Sequence, residues 1–259
     1  MDFAAEMVGK RVVVTGAGGV IGRWLARAFA EAGASLCLTD TDVAALEGME
    51  LGPDGFRHAA DLRDAAAIEA LAAAVASRWN SADVLVNNAG VYPSAFLLDV
   101  DAEEWDRIFD INLRAPFLLT RAVAKNMIAA GVRGSVINIS SGAARKMRRT
   151  VAPYCTSKTA LDRITKGFAI ELAEYGIRVN ALEPGFAAGS SVSPVSETHA
   201  ATTTANIPAG RATRYEDVRD AALFLASSAS SYITGASLPV DGGNSIGSLA
   251  VYQDKKSAL

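Results

Sequence analysis

Short runs of β-branched and aliphatic residues alternate along this chain with longer Ala-rich segments in which apolar residues recur at helical spacing. Strand-like runs fall at 11–15, 35–39, 56–60, 83–87, 135–140, 178–182 and 237–240, and helix-like segments at 21–32, 65–78, 103–130, 157–174 and 215–227. Such alternation predicts an α/β fold with a parallel sheet of about seven strands and helices on both faces. With 259 residues, 50% of them hydrophobic and 20% charged, the chain can bury a large core. No linker, charge block or repeat divides it, so one domain over 1–259 is expected. The Ser-, Thr- and Ala-rich stretch 187–210 sits between two strands, where a substrate lid is expected, and 245–259 forms a C-terminal tail.

The first strand-like run, Val12-Val13-Val14-Thr15, passes into Gly16-Ala17-Gly18-Gly19-Val20-Ile21-Gly22 and a helix opening at about Ile21. Glycines allow a tight turn and close approach to the backbone, and a helix N-terminus offers unpaired N–H groups. Gly16, Gly19, Ile21 and Gly22 therefore suit a pyrophosphate. Asp40 ends the second strand eighteen residues after Gly22. A carboxylate there accepts from adenosine ribose hydroxyls, and it would repel a 2′-phosphate at ~4 Å by a few kcal/mol per charge pair at an effective dielectric near ~20. Ala17, Gly18 and Thr41 bring no compensating cation, so the expected cofactor is NAD. The plainer alternative makes Asp40 a turn or cap residue.

A candidate proton-transfer set follows. Ser141 ends the apolar run Val136-Ile137-Asn138-Ile139, and a hydroxyl at a strand's carboxyl end faces the ligand crevice of an open α/β sheet. Tyr154 and Lys158 are four apart, so they share a helix face. A free Tyr titrates near ~10, and a neighbouring ammonium favours the phenolate and draws the group toward neutral pH. The alternative is an amphipathic helix with a snorkelling Lys.

Thr15-Gly16 with its glycines, Asp61-Leu62, Asn87-Asn88-Ala89-Gly90, Asn112, Ser141, Tyr154 with Lys158, Pro184-Gly185, and Ile233-Thr234-Gly235 through Val240-Asp241-Gly242-Gly243 stand in a telling order. Their spacing over about residues 9–244 resembles the short-chain dehydrogenases/reductases, in the common single-domain subgroup. The resemblance implies a doubly wound Rossmann-type sheet. It makes Tyr154 the general acid/base, and Lys158 the cation that tunes it and holds the nicotinamide ribose. Ser141 would orient the substrate oxygen, and Asn112 would support a proton relay through water. Asp61 would meet the adenine amine, Asn88, Ala89 and Gly90 would pass beside the adenosine ribose, and Leu62, Pro184, Gly185 and Ala187 would also bind the cofactor. Val20 stands where the common subgroup has Gly, and Gly189 where the family often has Thr, with Ser190 or Ser191 able to supply that hydroxyl. Glu183 before Pro184 is also unusual, and it either touches substrate or is a salt-bridged strand-end carboxylate.

A net charge of −3 gives no basic field for nucleic acid or an anionic membrane. Two Cys, Cys37 and Cys155, and two His, His58 and His199, offer neither a disulfide framework nor a metal site. The start Met1-Asp2-Phe3-Ala4-Ala5-Glu6 is acidic where a signal peptide is basic, and no apolar run approaches the ~20 residues of a span, so the cytoplasm is the expected compartment. Arg145, Lys146, Arg148 and Arg149 crowd the loop between Ser141 and Tyr154. Arg148, Arg149 and Ala143 are candidate substrate contacts, for a hydroxy acid or acidic sugar, the alternative being a solvated loop or subunit contact. The family is commonly tetrameric, and Leu161, Ile164, Phe168 and Leu172 could serve either a homo-oligomer or the core. The expected activity is interconversion of a secondary alcohol and a ketone with NAD. The alternatives are an NADP-dependent 3-oxoacyl reductase and a non-catalytic NAD-binding sensor or scaffold.

Overall fold

The alternation builds one sheet. In the computed structural model, which describes residues 2–189, 196–247 and 249, strands β1 (Arg11–Thr15), β2 (Ser35–Asp40), β3 (Phe56–Ala59), β4 (Val84–Asn87), β5 (Ser135–Ile139), β6 (Arg178–Pro184) and β7 (Ser237–Val240) lie parallel in the order β3-β2-β1-β4-β5-β6-β7. The helices are α1 (Val20–Glu31), α2 (Ala65–Trp79), α3 (Ala102–Phe109), α4 (Ala115–Ala129), α5 (Ala152–Leu172), α6 (Glu197–Ala205) and α7 (Tyr215–Ala226). Successive side chains of a strand point to opposite faces, which splits the core in two. Val12 and Val14 pack with Leu25 and Phe29 of α1 and Val218 and Ala222 of α7. Val13 packs on the other side, with Leu71 and Val75 of α2, Leu119 and Val123 of α4, and Ala169 and Leu172 of α5. The strand order reverses between β1 and β4, and a crevice opens there at the carboxyl ends of the strands. Among the described residues no helix is long and apolar enough to cross a membrane.

Three elements depart from the sequence reading. The segment expected as one helix over 103–130 is interrupted by a π-helical turn at Asp110–Arg114. Pro116 has no N–H to return to the carbonyl of Asn112, so the ladder widens there and α4 restarts with the proline in its first turn. The helix expected from residue 157 begins at Ala152, because Pro153 is tolerated in the first turn and extends it. That earlier start is what puts Tyr154 on the helix. Finally, the irregular stretch 187–210 contains α6, capped by Ser196 Oγ accepting from His199 N–H; Ser190 and Ser191 lie outside the described residues, as does most of the tail 245–259.

The apolar positions of α5 divide between two duties. Leu161 and Leu172 are buried within the chain, and Phe168 packs against the core that contains Leu172. Ile164 instead joins Phe109, Leu113 and Phe117 in an open apolar groove across α5 and α4.

Candidate active site

A cavity of about 430 Å³ occupies the crevice. Gly16, Gly19, Ile21 and Gly22 form one wall, and Asp40, Asp61 and Leu62 lie at one end. Asn88, Ala89 and Gly90 run along the middle, and Ser141, Tyr154, Lys158, Pro184, Gly185 and Ala187 close the other end.

The glycine turn is shaped by contact. Gly16 is left-handed at φ +59°, and a Cβ there would lie 2.7 Å from Ala89 Cα. A Cβ on Gly22 would sit 2.1 Å from Gly16 O. Only glycine lets α1 approach this closely. The N-cap of α1 is Gly19, which offers no side chain to the first helical N–H groups, leaving them to a ligand. The turn is tied to β4 through Thr15, whose Oγ1 accepts from Asn88 N (2.9 Å) and Ala89 N (3.0 Å). Asn88 Nδ2 donates in return to the carbonyls of Thr15 (2.8 Å) and Gly16 (2.9 Å).

At the far end of the turn Asp40 Oδ2 accepts from Gly18 N at 3.0 Å. A cation the sequence reading passed over stands close by. Arg23, on α1, donates to Gly18 O at 2.9 Å and Ala45 O at 2.6 Å, so the turn that meets Asp40 also carries a guanidinium. Helical position gives no hint of it, since Arg23 reaches back across the turn. Asp61 is held by Arg63 at 2.6 Å, which keeps its carboxyl below the usual range.

At the opposite end Tyr154 is hydrogen-bonded to Ser141, whose Oγ also accepts from Ala143 N at 3.1 Å. The Lys158 ammonium lies 5.8 Å from the Tyr154 ring centroid and donates to Ile139 O at 2.8 Å. In the protein alone the expected drop in the phenol is not found. Burial pushes Tyr154 up to about 12, with the Ser141 hydrogen bond opposing, and burial also pushes Lys158 down to about 8. Enclosure outweighs the neighbouring charge for both groups. Tyr92 packs against the Tyr154 ring, with centroids 5.7 Å apart, and lines the cavity beside it.

Asn112 stands behind the wall rather than on it. It is fully buried in the π-helical turn, its Nδ2 donating to Val91 O (2.8 Å) and Ser157 Oγ (3.1 Å) and its Oδ1 accepting from Val91 N (2.8 Å). A Cβ on Gly90 would lie 3.3 Å from Asn112 Oδ1 and 3.5 Å from Lys158 Nζ, so these two groups meet at that glycine.

The basic loop separates into four environments. Arg148 lines the cavity. Arg149 instead stacks its guanidinium 5.0 Å from the Phe96 ring centroid, Lys146 Nζ donates to Asn244 O, and Arg145 Nε donates to Glu183 Oε2 at 2.6 Å. Glu183 and Ala143 are buried and stand off the cavity wall, so neither is placed to touch substrate; the salt-bridged alternative for Glu183 is the one the geometry supports. Phe186, Asp241 and Asn244 line the cavity in addition to the expected residues, Asp241 accepting from Gly243 N and Ser245 N.

Comparison with known proteins agrees with this geometry. A family model described as enoyl-(acyl carrier protein) reductase, of the short-chain type, matches residues 16–245. Sorbitol dehydrogenase of Cereibacter sphaeroides is 34% identical over 249 residues, covering 91% of this chain and 97% of its own. Human L-xylulose reductase is 38% identical over 240 residues, covering 92% and 97%. Among solved structures, a gluconate 5-dehydrogenase from Burkholderia cenocepacia J2315, in complex with NADP and tartrate, superposes with a TM-score of 0.84 at 32% identity over 93% of this chain and 98% of that one. A 3-ketoacyl-(acyl-carrier-protein) reductase from Brucella melitensis, complexed with NADH, gives 0.84 at 36% identity over 93% and 100%. With the sheet order, the glycine turn and the Ser141, Tyr154 and Lys158 cluster in place, these matches make the chain an oxidoreductase of the short-chain dehydrogenase/reductase family.

Proposed function

We propose that the protein interconverts a secondary alcohol and a ketone with NAD, and that Tyr154 moves the hydroxyl proton. The observation that carries this reading is the convergence of Ser141, Tyr154 and Lys158 at one end of a cavity whose other end is the glycine turn and Asp40. The turn fits a dinucleotide, since its Gly16 and Gly22 leave no room for side chains and the first N–H groups of α1 have no side-chain cap. When bound, the nicotinamide supplies or accepts the hydride. The chain's own residues handle the proton. A phenol pushed up to about 12 is protonated at neutral pH, which suits donation to a carbonyl oxygen in the reductive direction. In the oxidative direction Tyr154 must first give up that proton, and the Lys158 charge favours the phenolate. Ser141, already bonded to Tyr154, holds the substrate oxygen in line.

The substrate we favour is a polyol or hydroxy acid. Relatives are named for sorbitol, galactitol and D-threitol, and one structural neighbour holds tartrate. Arg148, on the cavity wall, offers a guanidinium to a substrate carboxylate. NADP is the second reading for the cofactor, favoured by the position of Arg23 beside Gly18. The open groove of Phe109, Leu113, Phe117 and Ile164 supports association of like chains through α4 and α5, as a tetramer.

The test is steady-state kinetics over a panel of polyols and hydroxy acids with both cofactors. NAD is expected to exceed NADP by about tenfold or more in kcat/KM, and Tyr154→Phe to abolish turnover while still binding NADH. Preference for NADP transfers the weight from Asp40 to Arg23, and activity in Tyr154→Phe moves the proton to another group.

A further inference from the structure

The chain that follows β7 turns back over the Ser141 end of the cavity and brings one uncharged polar side chain to its wall. Asp241 organises this turn: its Oδ1 accepts from Gly243 N at 2.9 Å, its Oδ2 from Ser245 N at 2.8 Å, and its carbonyl from Asn244 N at 3.2 Å. The turn is pressed onto the site at two places. A Cβ on Gly142, the residue after Ser141, would lie 2.9 Å from Ser245 Cβ, and one on Gly185 would lie 2.7 Å from Asp241 Cα. From outside, Lys146 Nζ donates to Asn244 O, and Ala209 N donates to Gly242 O at 3.0 Å. Asn244 is therefore gripped through both its N–H and its carbonyl, which fixes its backbone beside the cavity.

Asp241 and Asn244 both line the cavity, but each carboxylate oxygen is already engaged by an N–H of the turn. The Asn244 side chain is half-buried, and no other described residue hydrogen-bonds to its carboxamide. A carboxamide accepts at its oxygen and donates at its nitrogen, so this one side chain can match both halves of a hydroxyl group. Arg148, also lining the cavity, only donates, which suits a carboxylate. Ser141 holds the reacting oxygen in the reading above, and the residue next to Asn244 packs against the residue next to Ser141. A substrate oxygen that meets Asn244 is thus a close neighbour of the reacting one, not the far end of a long chain.

Building on the alcohol/ketone reading above, we infer that Asn244 is a specificity-determining residue whose carboxamide hydrogen-bonds a second hydroxyl on the carbon next to the reacting carbinol. The enzyme then selects vicinal diols, the unit that polyols repeat, over alcohols with a single hydroxyl. Lys146 is a positioning residue that holds Asn244 by its carbonyl. A site that presents a polar group to a substrate hydroxyl disfavours the analogue lacking it, because the amide is left without its partner.

Butane-2,3-diol and butan-2-ol share a carbon chain and a secondary carbinol and differ by that hydroxyl. In the unaltered enzyme with NAD, kcat/KM for the diol should exceed that for the mono-alcohol by about tenfold. Asn244→Leu, close in size and without either polar atom, should bring the ratio to within about twofold of unity through a lower diol value. Lys146→Met should move the ratio the same way by a smaller factor, mainly through KM for the diol. A starting ratio near unity, a ratio that Asn244→Leu leaves in place, or an equal loss on both alcohols overturns the inference. So does a larger effect of Lys146→Met than of Asn244→Leu, which would give recognition to the ammonium. If the unaltered protein oxidises neither alcohol, saturation-transfer NMR on the two decides instead: the diol should give the stronger signal, and Asn244→Leu should remove that advantage. A diol signal no stronger than that of the mono-alcohol, or an advantage that survives Asn244→Leu, overturns the inference. Failure of the whole polyol and hydroxy acid panel sinks the proposed function, and the NMR comparison still decides the role of Asn244.

Discussion

Replacing Thr15 by valine preserves the shape of a side chain that is 1% exposed and removes the oxygen on which two backbone N–H groups end. The 2.9 and 3.0 Å bonds from Asn88 and Ala89 are of ordinary strength, and the 3.5 Å approach of the same hydroxyl to Val86 O adds little. A methyl in its place leaves two donors without an acceptor at about 1–3 kcal/mol each. Water can reach part of this backbone, so the lower half of the sum, about 2–4 kcal/mol, is the expected loss of folding stability. Thr15→Ser keeps the oxygen and drops one methyl, a change of about 1 kcal/mol. The same oxygen fastens the glycine turn to the 88–90 stretch, so cofactor binding should weaken in Thr15→Val and survive in Thr15→Ser. Urea unfolding with a fitted m-value and calorimetric titration with NADH measure the two effects. A valine variant as stable as the starting protein, or a serine variant worse than the valine one, would refute the account.

Gly22→Ala should weaken NADH binding about tenfold or more, because its Cβ would meet Gly16 O at 2.1 Å and the turn must open; fluorescence titration reads it. The Lys158 pKa of about 8 lies below its unfolded value, so between about pH 8 and 10.5 the unfolded chain binds more protons. Stability of the cofactor-free protein should therefore rise with pH across that window, by up to about 1.4 kcal/mol per pH unit. Lys158→Met should flatten the slope of Tm between pH 7.5 and 10, and an unchanged slope would assign it to another group. Arg148→Ala should raise KM for a hydroxy acid more than for a neutral polyol of similar size, and equal effects on both substrates would remove Arg148 from recognition.

The sequence by itself determined the layered α/β architecture, because strand-length apolar runs joined by helix-length segments leave a parallel sheet as the packing that buries both. It also determined the glycine turn, since a close helix approach needs residues without a Cβ at Gly16 and Gly22, and it put Tyr154 and Lys158 together, because four residues make one turn. Tertiary structure decided the rest. The Arg145–Glu183 pair spans thirty-eight residues and Arg23 meets Ala45 across twenty-two, so no local spacing announces either contact. Pro116 is visible in the sequence, but the π-helical turn it produces sinks Asn112 behind the wall instead of leaving it on a helix surface. The four cations of the basic loop look alike along the chain, and packing alone gave one to the cavity, one to an aromatic ring, one to a carbonyl and one to a carboxyl. Charge environment is likewise a property of depth. A Tyr and a Lys one turn apart suggest a lowered phenol, yet enclosure by β5 and its neighbours pushes the two groups the other way, because desolvation depends on everything that surrounds a side chain and not on its neighbours in sequence.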